Sequence, residues 1–232
     1  MLAHRKGKKM QPENIMSVVS VNVGLPREVV WQGKTVLTSI FKETVAGRVS
    51  VRRLNLDGDR QADLTVHGGK NKAVYAYPSE YYSYWRAEFP NMHLPWSMFG
   101  ENLTLAGLVD DTVHIGDRFR VGSAILMVTQ PRLPCYKLGI KFGRDDMLKR
   151  FLASGLTGFY LAVLEEGEVA AGDPITLLER DEHEIKVSDI TRLYKSDKHD
   201  LALLQRALQV QALPEGWRRQ FRQRIAKITS RS

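Results

Sequence analysis

The chain has one cysteine, Cys135, and its neighbours suit it to chemistry. It ends the run Gln130-Pro131-Arg132-Leu133-Pro134-Cys135 and is followed by Tyr136-Lys137-Leu138. Each proline fixes its own φ and pushes the residue before it towards extended geometry, so the loop is stiff and holds the sulfur in one place. Arg132 and Lys137 bring positive charge towards it, which favours the thiolate, the form that attacks as a nucleophile or binds a metal. Plain core filling is the alternative for any free cysteine. With one cysteine, an internal disulfide and a four-cysteine zinc or iron–sulfur site are both excluded.

A second constellation is cationic. Asp57-Gly58-Asp59-Arg60 is followed by Val66-His67-Gly68-Gly69-Lys70-Asn71-Lys72. Consecutive glycines let a ligand approach backbone N–H groups, and His67 with two lysines suits an anion such as a phosphate. The alternative is a solvated hairpin turn. The stretch is no Walker loop, because the Gly-x-x-x-x-Gly-Lys-Ser/Thr spacing is missing, and no Gly-x-Ser-x-Gly elbow exists to make His67-Gly68-Gly69 part of a serine esterase. In a third stretch, Phe99-Gly100-Glu101-Asn102-Leu103, a carboxylate and an amide enter a strand; Asn102 there is by itself an ordinary turn residue. A fourth, near the C-terminus, carries Arg218, Arg219, Arg222, Arg224, Lys227 and Arg231 and reads as the solvated face of a helix.

The elements that must position these residues are mostly strands. From residue 17 to 182 the chain runs in short β-branched segments broken by Gly, Pro, Asn and Asp, the pattern of an antiparallel barrel or sandwich. Strands are expected at 18–23, 29–31, 35–41, 49–54, 73–77, 102–105, 118–121, 124–129, 158–164 and 175–179, with Gly122-Ser123 as a hairpin turn. Two helices interrupt them. One is capped by Ser79, carries Tyr82, Trp85 and Phe89 and stops at Pro90; the other spans 145–154, carries Met147, Leu148, Phe151 and Leu152 and ends at Gly155. From 183 to 232 the sequence favours a separate three-helix unit. Ser188 caps its first helix, the second carries a Leu201, Leu204, Leu208 stripe, and the third, opened by Pro214, carries Trp217, Phe221, Ile225 and Ile228.

Composition sets the class. At 232 residues, 43% hydrophobic and 26% charged, the chain is an ordinary globular protein large enough for its own core. No apolar run approaches the roughly 18 to 20 residues of a membrane span, and the N-terminus has no apolar h-region, so a cytoplasmic location is expected. The net charge of +8 draws on Arg5, Lys6, Lys8 and Lys9. They lie in segment 1–16, read as a disordered tail with Met10 and Met16 as alternative starts. The central body is near neutral, which argues against a broad phosphate-binding surface.

In these motifs the chain resembles the MOSC family, named for the C-terminal domain of molybdenum cofactor sulfurases, and within it the YiiM-like branch with a three-helix extension. The likeness covers nearly the whole chain. It rests on Leu56-Asp57-Gly58-Asp59-Arg60, Val66-His67-Gly68-Gly69, Ala73-Val74-Tyr75-Ala76-Tyr77-Pro78, Phe99-Gly100-Glu101-Asn102-Leu103, Ile115-Gly116-Asp117 and the Gln130 to Cys135 run, all in family order.

The resemblance implies a mainly β, antiparallel, barrel-like domain with a few helices. It implies molybdopterin-bound molybdenum ligated by Cys135, and reduction of N-hydroxylated compounds to amines by removal of the N–OH oxygen. Arg60, His67, Gly68, Gly69 and Arg132 become candidates for cofactor phosphate or pterin contacts, with Asn102 and Lys137 behind them. A soft thiolate suits a metal already held by dithiolene sulfur. Because the chain has no iron–sulfur ligand set and no Gly-x-Gly-x-x-Gly fingerprint, electrons must come from a separate reductase. The arginine face of the last helix, Arg218 and Arg222 in particular, is then a docking surface for an acidic redox partner. A homodimer is compatible with the sequence. Two rival readings stay open: a carrier that stores or hands on the cofactor or its sulfur, and, more remotely, a nucleic-acid-binding module built on the basic helices.

Overall fold

The computed structural model describes residues 16–63 and 68–230. The expected tail up to residue 15 and the candidate His67 lie outside the described residues. In chain order the elements are β1 (Ser17–Val23), β2 (Arg27–Trp31), β3 (Lys34–Thr38), β4 (Glu43–Thr44), β5 (Val49–Val51) and β6 (Val74–Pro78). Then follow α1 (Tyr81–Glu88), β7 (Leu103–Ala106), β8 (Arg118–Val121), β9 (Ala124–Pro131), α2 (Lys137–Phe142) and α3 (Met147–Ser154). The chain continues with β10 (Phe159–Glu165), β11 (Gly167–Val169), β12 (Ile175–Glu179), α4 (Val187–Lys195), α5 (Leu201–Gln209) and α6 (Glu215–Thr229).

Every strand expected from the sequence is present, in a mainly β fold. The large sheet has the order β12-β8-β9-β10-β6-β7-β1-β4, and β2-β3 and β11-β5 form two small ribbons. Two expectations are corrected. The sheet is mixed, because β6 and β7 run parallel on either side of the α1 crossover. Nor does it close into a barrel: between β1 and the start of β12 there is one bridge, Ser17 to Pro174, and no ladder.

Strand β6 shows how the sheet divides the interior. All five of its residues are buried. Side chains alternate between faces, so Val74 and Ala76 enter the main core with Leu103, Leu126 and Phe159. Tyr75 and Tyr77 enter a second cluster on the other face with Trp85, Phe99, Phe142 and Phe151. Helices α1 to α3 cover that aromatic face.

Local signals explain most boundaries. Gly122, at φ +59°, makes the two-residue turn between β8 and β9, and Gly155, at φ +71°, ends α3. Ser79 is not the cap of α1; Glu80 holds that position, and the Ser79 backbone N–H instead donates to Leu105 O at 2.7 Å. Ser188 lies inside α4, whose start is held by Asp189 accepting from Lys186 N at 3.1 Å. On α5 the buried stripe is Leu203, Leu204 and Ala207, with Leu208 packed beside it.

Helix α2 has no helical signature in the sequence, since it is one short turn with a glycine inside. Gly139 is needed there because a Cβ would meet Arg144 O at 2.7 Å. Helices α4 to α6 form the C-terminal unit and pack against the sheet. Ile190, Leu204, Trp217 and Phe221 belong to the same continuous apolar cluster as the strand residues of the main core.

Candidate active site

The loop after β9 places Cys135 and Arg132. Arg132 N donates to Gly158 O at 3.2 Å, and Cys135 O accepts from Leu138 N at 2.9 Å in the first turn of α2. The Arg132 side chain, 6% exposed, passes between aromatic rings, with its guanidinium carbon 5.0 Å from the Tyr75 centroid and 5.3 Å from that of Phe151. Stacking of this kind holds a cation without neutralising it. Burial works against the charge, but Tyr75, Tyr160 and Cys135 outweigh it and hold the guanidinium above its ordinary value. Its Nη1 is buried and, among the described residues, has no hydrogen-bond partner. A buried charged donor left unpaired is costly, so this atom is built to receive an acceptor.

Arg132 and Cys135 line one cleft that opens to solvent. Its walls include Tyr75, Tyr160, Lys137, Gly68 and the segment Thr38, Ser39 and Ile40. Ser39 Oγ is a second buried polar atom there without a partner among the described residues. Cys135, half-buried, also lines a neighbouring cavity with Pro131, Leu133, Pro134 and Asp63. Among the described residues no three His, Cys, Asp or Glu side chains cluster to hold a metal.

The floor of the cleft is an ion pair that the sequence did not announce. Lys42 and Asp59 are both buried and directly bonded to each other. Burial lowers the Lys42 pKa, against the pull of Asp59. Asp59 also accepts from Gly24 N and from Asn102 Nδ2, both at 2.9 Å. Half-buried Lys72 lies 5.9 Å from the Tyr160 ring and is lowered by burial.

The predicted residues divide accordingly. Cys135, Arg132, Lys137, Gly68 and Asn102 come together around the cleft. Asn102 is fully engaged with the protein itself: Oδ1 accepts from Tyr75 N at 3.1 Å, and Nδ2 donates to Asp59 and Asn22 O. It braces the floor and offers no free donor. Arg60 is exposed and does not line the cleft; along that extended stretch its neighbour Asp59 turns inward instead. Gly69, at φ +79°, faces a groove against the three-helix unit. Sequence reasoning missed Lys42, Tyr75, Tyr160 and Asp59, although Tyr75 and Asp59 lie inside motifs it quoted. The arginine face of α6 is partly engaged as well: Arg218 donates to Val210 O at 2.9 Å, Arg222 to Glu215 Oε1 at 2.7 Å and Arg224 to Leu193 O at 2.6 Å.

Comparison with known proteins gives this architecture relatives. The model of the MOSC domain matches residues 63–176, and that of the YiiM-like 3-alpha helix domain matches residues 187–227. The chain is 44% identical over 205 residues to the uncharacterized protein YflK of Bacillus subtilis (strain 168), covering 88% of this chain and 92% of that one. It is 33% identical over 181 residues to a protein named Reductase from Gibberella moniliformis, covering 77% of this chain but 32% of that longer protein. The crystal structure of YiiM from Geobacillus stearothermophilus superposes with a TM-score of 0.76 at 34% identity, covering 90% of this chain and 99% of that one.

Proposed function

The chain belongs to the MOSC-domain family, in the branch that carries a YiiM-like three-helix domain, and from this premise we propose that it is a molybdenum-cofactor-dependent reductase of N-hydroxylated compounds with Cys135 as the metal's protein ligand. One observation carries the reading: the only thiol of the chain shares a cleft with the buried Nη1 of Arg132, which has no hydrogen-bond partner among the described residues. A sulfur donor beside a fixed cation suits a group that is soft at its metal end and anionic at its other end. The reductase-named relative supports the reaction class.

Bound there, the molybdenum cofactor supplies two-electron removal of the N–OH oxygen, giving the amine and water, with the electrons drawn from a separate reductase. The chain's own residues hold and shape the site. Cys135, fixed by the proline-stiffened loop, offers its sulfur. Arg132 and the half-buried Lys137 offer positive charge, and Tyr75 keeps the guanidinium aimed by stacking on it. The tyrosine walls exclude water from one side of the cleft, which strengthens each electrostatic contact inside it. Among the described residues no helix is long and apolar enough to cross a membrane.

The experiment is molybdenum content per chain for Cys135→Ser made in a cofactor-competent host, beside a melting curve. Expected are loss of most of the metal and of turnover, with stability changed by about 1 kcal/mol or less. Full loading of the variant would remove Cys135 as ligand, and collapse of the fold would make it a core residue.

A further inference from the structure

Trp217, near the start of α6, is buried, and its indole N–H donates to Gln130 Oε1 at 2.9 Å. Gln130 is buried too, and its amide nitrogen donates to Asn71 O at 3.2 Å. The same carbonyl accepts from the Thr129 hydroxyl at 2.7 Å. Two successive strand residues reach one acceptor because the pairing of β9 with β10 slips here: Gln130 faces Tyr160 and Val128 faces Leu161. A bulge of this kind re-aims the side chains beside it.

Asn71 is the middle residue of a 3₁₀ turn, Lys70–Lys72, entered through Gly69, with Lys72 N donating to Gly69 O at 2.9 Å. Gly68 and Lys72 line the cleft of Cys135, and both also line an open groove against Tyr194 and Trp217. Arg132 stands two residues beyond Gln130. The three-helix unit is thus bonded, through one buried amide, to both margins of the site. Packing alone does not require this. An apolar pair at 130 and 217 would bury as well, whereas a satisfied buried polar chain fixes one geometry.

We propose that Trp217 is a positioning residue of the Cys135 site, setting the Gly69–Lys72 turn and the Arg132 loop through Gln130, so that the three-helix unit is a working part of the site. The inference rests on the cofactor reading above, and its test separates the two. Trp217→Phe keeps an aromatic ring but removes the N–H together with the bulk of the five-membered ring, so Gln130→Met, which keeps its bulk, separates the lost bond from lost packing. Molybdenum retained after gel filtration should fall about five-fold, the equivalent of one ordinary hydrogen bond, while the protein stays folded at the assay temperature. Amide exchange at Asn71 and Lys72 should quicken, with β8 unchanged. Gln130→Met should have the same effect, and the double variant should lose no more than either single one, since the two residues act in one chain.

Wild-type metal content together with unchanged exchange in Trp217→Phe overturns the proposal, as do additive losses in the double variant. If wild-type protein made in a cofactor-competent host holds no molybdenum, the cofactor reading fails, and exchange at Asn71 and Lys72 alone decides the relay: quickening sustains it, no change overturns it.

Discussion

The guanidinium of Arg132 lies over the ring of Tyr75, and the hydroxyl of that tyrosine donates to Thr157 O at 2.9 Å, beside the Gly158 carbonyl that holds the Arg132 backbone. Side chain and main chain of the arginine are therefore fixed by one loop. Among the described residues no carboxylate pairs with its charge, which remains directed at the cleft.

Replacing Arg132 by lysine keeps a charge but loses the planar fork and its stacking between two rings. Arg132→Lys is expected to weaken inorganic pyrophosphate binding about ten-fold and to lower stability by about 1 to 2 kcal/mol, through loss of the desolvated cation–π contacts. Titration calorimetry with a parallel melting curve checks both; undiminished pyrophosphate binding would place the anion elsewhere.

The floor of the cleft makes a separate prediction. Asp59→Asn leaves Lys42 charged, buried and without its counter-ion, and should destabilise the fold by about 3 to 5 kcal/mol. Adding Lys42→Met removes the stranded charge and should restore a good part of that loss, which denaturant unfolding of the two variants would measure. A double variant as unstable as Asp59→Asn would show that Asp59 matters through Gly24 and Asn102 instead.

Asp110 predicts a pH effect. Burial pushes its carboxyl up to about 6, although Thr157 N, Thr157 Oγ1 and Gly158 N all donate to Oδ2. A carboxyl whose folded pKa lies above its unfolded value binds more protons when folded, so its contribution to stability falls as pH rises from the unfolded pKa to the folded one. Between roughly pH 4 and 6 the wild type should lose about 3 kcal/mol that Asp110→Asn does not lose. Glu101, also raised by burial, is present in both proteins and cancels in the difference. Parallel slopes of melting temperature against pH would refute the assignment.

What the sequence determined by itself is local and periodic. Most of the strands, though not the short β4 and β11, the amphipathic stripes of α1, α3 and α6, the Gly122 turn and the Gly155 stop are written in short windows, because side-chain alternation, helical spacing and positive-φ glycines act over a few residues. The proline-stiffened loop also fixed Cys135 as the residue to watch.

Only the tertiary structure decided which neighbours meet. Asp59 faces the cleft and Arg60 faces water, although one motif contains both, because the pairing with Lys42 comes from a segment 17 residues away. Asn102 became a brace once Tyr75, Asn22 and Asp59 claimed its polar atoms. The mixed sheet follows from β6 and β7 lying side by side in parallel, a pairing that no strand pattern specifies. The Trp217–Gln130 bond joins residues 87 apart, and hydrogen bonds across such distances depend on the packed core that brings α6 onto β9.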